Sequence, residues 1–335
     1  MQQPLVSVLI PFKNTAEFLP ECINSILEQS YTNWEVIAID DSSTDTSKSV
    51  MDVYASKDHR IKVHTNTGNG IIEALRLAYS LCRGDFITRM DSDDIMTIHK
   101  LGVMANSLLA HGKRHLAVGQ VAYFSARGIS NGYDRYEKWL NKLTAKGTNY
   151  TEIYKECTIP SPCWMAYRED FDLASAFTPN RYPEDYDLAY RFYENGLQCI
   201  PCDQKLHLWR DYDTRTSRTS ENYAQNYFLD IKIHYFLKLN YDTNRPLILW
   251  GAGNKGKNVA KALIDKNMDF HWLCDNENKI GKDIYGKQMQ HYTALEQLEN
   301  SQSIITVANE EAQNFIKKYL SNLKQEHMED YFFFC

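Results

Sequence analysis

Short apolar runs alternate with longer amphipathic segments through the first hundred residues. VSVLI (6–10), ended by Pro11, reads as a buried strand, and residues 16–30 carry Phe18, Leu19, Cys22, Ile23, Ile26 and Leu27 at helical spacing. WEVIAID (34–40) forms a second strand that stops at Asp40 and Asp41, and the Ser/Thr-rich SSTDTSKSVMDVYAS opens a second helix. IKVHT (61–65), the helical IIEALRLAYSLC (71–82) and DFITRMD (85–91) continue the rhythm. This alternation predicts an α/β fold, a parallel sheet with helices on both faces and ligands bound beyond the carboxyl ends of the strands. Lys13–Asn14, Asp40–Asp41 and Asp91–Asp94 all fall at those ends.

After residue 100 the rhythm loosens. A helix near 100–111 and a strand near 115–124 precede the helical DRYEKWLNKL (134–143), and a long aromatic helix at 223–239 bridges to the last hundred residues. At residue 246 the strand–helix pattern restarts: PLILW, the glycine turn GAGNKG, KNVAKALIDKN, FHWLCD, and later SIITVA, EEAQNFIKKYL and DYFFF. Two domains are expected, 1–240 and a small Rossmann-like unit at 246–335.

The chain has 335 residues, of which 43% are hydrophobic and 24% charged, which excludes disorder and collagen-like repeats. A net charge of −6 weighs against a broad nucleic-acid surface. No apolar run approaches the ~20 residues of a membrane helix, and MQQPLVSVLIPF lacks the positive segment of a signal peptide. Eight scattered cysteines point to a reducing, cytoplasmic setting. The spacing of Cys157, Cys163, Cys199 and Cys202 fits buried thiols better than a zinc site.

Chemistry concentrates in a few places. MDSDDI (90–95) puts three carboxylates within four residues at a strand end, where hard Mg²⁺ or Mn²⁺ would relieve their repulsion and bridge to a diphosphate; a solvated turn or helix cap is the plainer reading. IDDSSTDTS (39–47) adds an acidic end on another strand of the same sheet, suited to a base or ribose or to capping the next helix. In the second domain, Gly251, Gly253 and Gly256 form GxGxxG between a strand and a helix, with Asp275 at the next strand end. This matches a dinucleotide fingerprint, and equally a turn that packs helix on strand.

Taken in order, VSVLIPFKN, IAIDDSSTDTS, GDFITRMDSDDI, YPEDYDLAYRFYENG and LHLWR resemble the inverting family 2 glycosyltransferases over residues 5–215. The resemblance implies a GT-A fold with a mixed, mainly parallel sheet, a nucleoside-diphosphate sugar donor and a Mn²⁺ or Mg²⁺ cofactor. It implies that Pro11 and Asn14 line the donor, Asp41 contacts the base, Asp91 meets ribose or sugar, Asp93 ligates the metal, and Arg210 lies near the diphosphate. Asp185 of PEDYD would be the general base, its affinity for a proton raised by Glu184; acids in the first turn of a helix are the alternative reading. Four features depart from the family pattern and are given no catalytic role: Lys13, Arg76, the missing proline after DSDD, and Tyr212 in place of a histidine two positions after Arg210. The second domain, with Tyr136, Trp139 and Asn141, further resembles a two-domain subgroup containing the animal β-1,3-N-acetylglucosaminyltransferase-like proteins linked to galactosylation of queuosine in tRNA. Tyr136, Trp139 and Trp164 are acceptor-stacking candidates whose default is core packing.

The expected activity is transfer of a sugar, from a UDP-sugar for preference, to a glycan, a lipid-linked sugar or a tRNA nucleoside, with peripheral membrane contact open. An NAD(P)-dependent oxidoreductase built on GxGxxG leaves the acids of the first 215 residues unexplained, and a non-catalytic sugar-nucleotide module leaves DSDD and PED unused.

Overall fold

The computed structural model describes residues 3–215, 218 and 228–335. Two compact units emerge, Met1–Tyr150 with Cys157–Thr216, and Thr151–Glu156 with Ser217–Cys335.

The larger unit opens with β1 (Val6–Phe12), α1 (Leu19–Leu27), β2 (Trp34–Asp40), α2 (Ser47–Lys57), β3 (Ile61–Thr65), α3 (Ile71–Leu81) and β4 (Phe86–Arg89). It continues through β5 (Ile95–Met96), α4 (Lys100–His111), β6 (His115–Val118), β7 (Gln120–Phe124), α5 (Asn131–Lys146), β8 (Trp164–Tyr167), α6 (Arg168–Leu173), α7 (Glu184–Glu194), β9 (Gln198–Ile200) and β10 (Lys205–Arg210). Seven strands lie in the order β3-β2-β1-β4-β8-β6-β9. Only the pairs that β8 makes with β4 and β6 are antiparallel. A smaller sheet, β5-β10-β7, stands beside it.

Strand periodicity assigns the layers. Val6, Val8, Ile10 and Phe12 of β1 face the core that α1, α2 and α4 cover, whereas Leu9 points to the other face, covered by α3, α6 and α7. On β4, Phe86 and Ile87 divide in the same way, so Arg89 shares the face of Ile87 and of α7.

The single strand expected at 115–124 is two. β6 and β7 break at Gly119 and enter different sheets, and the break is a place where only glycine fits, since a side chain there would meet Cys163 Sγ at 2.8 Å and Leu206 Cβ at 2.9 Å. The helix expected at 134–143 is longer: Ser130 Oγ caps its start and Gly147, with φ 66°, ends it.

The smaller unit contains α8 (Phe228–Leu239), β11 (Leu247–Trp250), α9 (Asn254–Asp265), β12 (His271–Cys274), β13 (Asp283–Ile284), β14 (Lys287–His291), β15 (Gln302–Ile305), α10 (Glu310–Asn322) and β16 (Tyr331–Phe333). Its sheet runs β13-β14-β12-β11-β15-β16, parallel except for β13–β14. Tyr154 stacks on Phe334 at 5.3 Å and meets Phe236 and Phe332 edge-on. These contacts count α8 and the Thr151–Glu156 stretch with this unit, so the division lies near 216 rather than 240. Residues 223–227 of the helix expected at 223–239 lie outside the described residues. Among the described residues no helix is long and apolar enough to cross a membrane.

Candidate active site

The strand order reverses between β1 and β4, and the carboxyl ends of β1, β2 and β4 deliver the polar residues there. Asn14 leaves β1 with φ 53°, and its Oδ1 accepts from the Thr44 amide at 2.7 Å while its own amide donates to Ser43 Oγ at 3.1 Å. Asp41 is buried. Its Oδ1 accepts from Asn66 Nδ2 at 2.7 Å and the Gly70 amide at 3.0 Å, and its Oδ2 lies 3.8 Å from Lys13 Nζ. Both side chains therefore tie neighbouring loops together, and Lys13 finds a partner in Asp41. Pro11 sits, half-buried, next to the last residue of β1.

Each acid of DSDD has its own partner, and the three still bear on one another as the sequence suggested, since Asp94 and Asp91 both raise Asp93. Asp91 Oδ1 accepts from Arg89 Nε at 3.0 Å and Nη2 at 2.9 Å. Asp93 Oδ2 accepts from the Tyr212 hydroxyl at 2.8 Å. Asp94, wholly buried, accepts from His207 Nε2 at 2.9 Å and from the Arg210 amide at 2.8 Å. Behind it, Lys100 Nζ lies 3.0 Å from His207 Nδ1 and 2.5 Å from the Pro162 carbonyl. An ammonium has only protons to offer, so His207 must accept at Nδ1 and donate from Nε2 to Asp94.

Burial, then Asp94 and Asp91, push the Asp93 carboxyl up to about 7. Burial also raises Asp94 and holds His207 well below its ordinary value, hence neutral. Among the described residues no group of three or more His, Cys, Asp or Glu side chains is placed to hold a metal ion. Asp93 alone suits the kind of site in which one carboxylate binds Mg²⁺ or Mn²⁺ and phosphate oxygens and water complete the shell. A cation would relieve the electrostatic load that raises this carboxyl.

Strand β10 fastens this turn. Arg210 Nε donates to the Asp93 carbonyl at 2.7 Å, Nη2 pairs with Glu21, and the guanidinium lies over the rings of Phe18 and Phe124 at 4.8 and 4.5 Å. The arginine expected beside a diphosphate thus also shapes the Asp93 backbone. Tyr212, given no role from the sequence, touches the candidate metal ligand directly. Arg215 was missed altogether: burial opposes its charge, but Asp94, Tyr123, Asp93 and Asp91 raise its pKa, and it lies 5.6 Å above the Trp209 ring. Its position just beyond LHLWR was the available signal.

From the other side, α7 brings Glu184 and Asp185 in its first turn, where acids suit the helix dipole. Arg89 Nη1 donates to Glu184 Oε1 at 2.8 Å, so one buried guanidinium binds DSDD to PED. Burial and then Glu184 push Asp185 up to about 7, against the pull of Arg89. A carboxyl raised toward neutrality is suited to proton transfer, the chemistry the sequence motif suggested for it.

The aromatic candidates pack. The Tyr136 hydroxyl donates to the Cys157 carbonyl at 2.9 Å, Tyr136 and Trp139 rest against the core, Asn141 pairs both backbone groups of Val121, and Trp164 stacks on Phe171.

In the smaller unit the glycine turn has a packing explanation. Gly251 takes φ 127°, and a Cβ there would approach Thr306 Oγ1 at 2.4 Å; one on Gly256 would meet the Gly251 carbonyl at 2.1 Å. Trp272 Nε1 donates to that carbonyl at 2.8 Å, and Lys279 Nζ reaches the Ala252 carbonyl at 2.7 Å. Space remains open at Gly253, and Asp275 is exposed at the end of β12.

Known proteins fit this arrangement. Residues 7–173 match the glycosyl transferase family 2 pattern. The chain is 41% identical over 93 residues to glycosyltransferase GlyG of Streptococcus pneumoniae, covering 28% of this chain but only 31% of that protein. It is 36% identical over 211 residues to an Escherichia coli protein, the UDP-Glc:alpha-D-GlcNAc-diphosphoundecaprenol beta-1,3-glucosyltransferase WfgD, spanning 60% of this chain and 75% of WfgD. The crystal structure of S. aureus TarS 1-349 in complex with UDP-GlcNAc superimposes with a TM-score of 0.56 at 18% identity, over 77% of this chain and 71% of that one. The shared fold is the GT-A arrangement, and with the matching sequence it makes this chain an enzyme belonging to the family 2 glycosyltransferases.

Proposed function

We propose that this chain moves a sugar, with inversion, from a UDP-sugar to an acceptor hydroxyl, using a divalent cation held at Asp93. The observation that supports this most is the pair of acidic motifs joined by one buried arginine, Asp91–Arg89–Glu184, which sets the DSDD turn beside the raised carboxyl of Asp185. In this reading Asp41 and Asn14 shape the nucleoside pocket and Asp91 meets ribose or sugar. Asp185 takes the proton from the acceptor hydroxyl as its oxygen bonds to the anomeric carbon and the nucleoside diphosphate leaves. Mn²⁺ or Mg²⁺, bound through Asp93, would offset negative charge on the departing diphosphate, and Arg215 adds a second positive charge.

WfgD, by its name, uses UDP-Glc and a sugar on diphosphoundecaprenol, and TarS was crystallised with UDP-GlcNAc. These favour a uridine donor and a lipid-linked sugar acceptor, met by peripheral contact with a membrane. Eight free thiols fit the cytoplasmic side. A tRNA acceptor, suggested by the likeness of Tyr136, Trp139 and Asn141 to the animal queuosine-tRNA proteins, is less favoured because those side chains serve packing. A bound NAD(P) in a Rossmann-like second domain is less favoured because Gly251 and Gly256 are already required by packing.

Calorimetric titration of UDP, GDP, NAD and NADP, each with and without Mn²⁺, tests the reading. Mn²⁺-dependent UDP binding that Asp93→Ala abolishes supports it. NAD(P) binding with no nucleoside diphosphate binding overturns it.

A further inference from the structure

Arg89 has little freedom and several negative neighbours. Strand alternation puts it on the face that α7 covers, its side chain is 6% exposed, and its guanidinium spans Asp91 Oδ1 at 2.9–3.0 Å and Glu184 Oε1 at 2.8 Å. These two acids come from different elements, the turn after β4 and the first turn of α7. A lysine, carrying one point charge, could not hold both with the same fixed angle between them.

We propose that Arg89 is the positioning residue of this site, a rigid fork that locks the donor-side turn to the first turn of α7 and so aims Asp185 at the acceptor. The proposal rests on the transferase reading for the word acceptor, but the coupling itself can be measured without turnover. Three carboxylates, Asp91, Glu184 and Asp185, share this one guanidinium. Glu184 faces Asp185 from its own helix, and Arg89 and Asp91 face it from β4 and the adjoining turn. Asp91 and Glu184 pair with the guanidinium directly, whereas Asp185 Oδ1 accepts from the Tyr186 amide at 2.8 Å and its carboxyl is pushed up to about 7 by burial and then by Glu184. Removing the guanidinium leaves two negative neighbours uncompensated, so the Asp185 proton should be held more tightly. Removing Glu184 should loosen it.

The test uses the full chain labelled with [¹³Cγ]aspartate, in which the Asp185 resonance is the one that Asp185→Asn deletes. Arg89→Met should raise the titration midpoint of that resonance by about one pH unit or more. Arg89→Met combined with Glu184→Gln should return it to the wild-type value or below. Arg89→Lys should keep the midpoint within about half a unit, because the charge survives, and lower kcat more than it raises KM, because the fork does not. A midpoint unmoved in Arg89→Met overturns the proposal, whatever the loss of stability. Should Arg89→Met fail to fold, Glu184→Gln decides alone: the midpoint must fall by about one unit, and an unchanged value overturns the proposal. Failure of the transferase reading would show differently, as no UDP or GDP released from any nucleotide sugar by the wild type, with the midpoints still deciding the role of Arg89.

Discussion

Tyr212 donates its phenolic proton to Oδ2 of Asp93 at 2.8 Å, a contact between the strand end after LHLWR and the DSDD turn. Burial and the neighbouring Asp93 raise the phenol far above its ordinary range, so it remains a donor at any working pH. The bond leaves three lone-pair positions on Asp93 and fixes the orientation of its carboxylate.

Tyr212→Phe should therefore weaken Mn²⁺-dependent UDP binding about tenfold, the cost of one hydrogen bond to a charged group. The ring packing on Phe18, with centroids 4.7 Å apart, is retained in the variant, so stability should change little. Calorimetry at fixed Mn²⁺ is the check, and unchanged affinity would mean that Asp93 is oriented without the phenol.

Asp185 yields a rate prediction and a stability prediction of opposite sense. As a base with a carboxyl near 7, it is active only when ionised. Turnover should rise about tenfold per pH unit below about 7 and level off above it, and Asp185→Asn should keep UDP binding while lowering kcat by roughly 10²–10⁴. In the folded chain its pKa is raised above the unfolded value of about 3.9, so its contribution to stability is full below that value and lost as pH rises through about 7. Asp185→Asn, neutral throughout, should thus melt a few degrees higher than wild type at alkaline pH, a gain of about 1 kcal/mol after allowing for solvent screening. An equal or lower melting temperature there would remove the like-charge and burial argument for this base.

The pair Lys100–His207 predicts the acid side. His207 is kept neutral in the fold, its pKa depressed by burial and then by Lys100, so stability is present above the unfolded value near 6.5 and is lost as pH falls below it. Lys100→Met leaves His207 Nδ1 and the Pro162 carbonyl without their shared donor in a fully buried place. We expect a loss of about 2–3 kcal/mol at neutral pH, read from urea midpoints. A loss under about 0.5 kcal/mol would mean that the ammonium does not organise the Asp94 side of the turn.

Much of this was legible in the chain. The strand runs from Val6 to Arg89 and the acids at their ends are local signals, because a parallel sheet repeats one unit and puts its polar residues where strands stop. What the sequence hid was pairing at long range. Asp91, Asp93 and Asp94 are neighbours in sequence, yet their partners are Arg89, Tyr212 and His207, the last two more than 110 residues away. Nothing in periodicity reports which side chain of β10, or of the residues just after it, meets which acid. The same holds at Gly119, where one apparent strand is two and Leu206 and Cys163 approach the backbone from distant segments. The division near 216 was likewise invisible, since the Thr151–Glu156 stretch joins α8 and β16 through aromatic contacts.

The glycine turn of the smaller unit offers a last discrimination, between a ligand-binding loop and a packing device. Any Cβ on Gly256 would lie 2.1 Å from the Gly251 carbonyl, itself held by Trp272 Nε1, and 2.9 Å from Thr306 Oγ1, so α9 would have to move away from β11. A Cβ on Gly253 would meet only open space, and the φ there is −77°, so alanine fits without strain. If the turn serves packing alone, Gly256→Ala should destabilise this unit by about 1–3 kcal/mol, and Gly253→Ala should be within about 0.5 kcal/mol of wild type. Hydrogen exchange resolved along β11, β12 and β15 would report the first change, and UDP affinity in the larger unit should be unaffected by either. Should Gly253→Ala instead abolish binding of NAD, UDP or phosphate to the chain while leaving exchange unchanged, the turn would be a ligand site and the packing account insufficient.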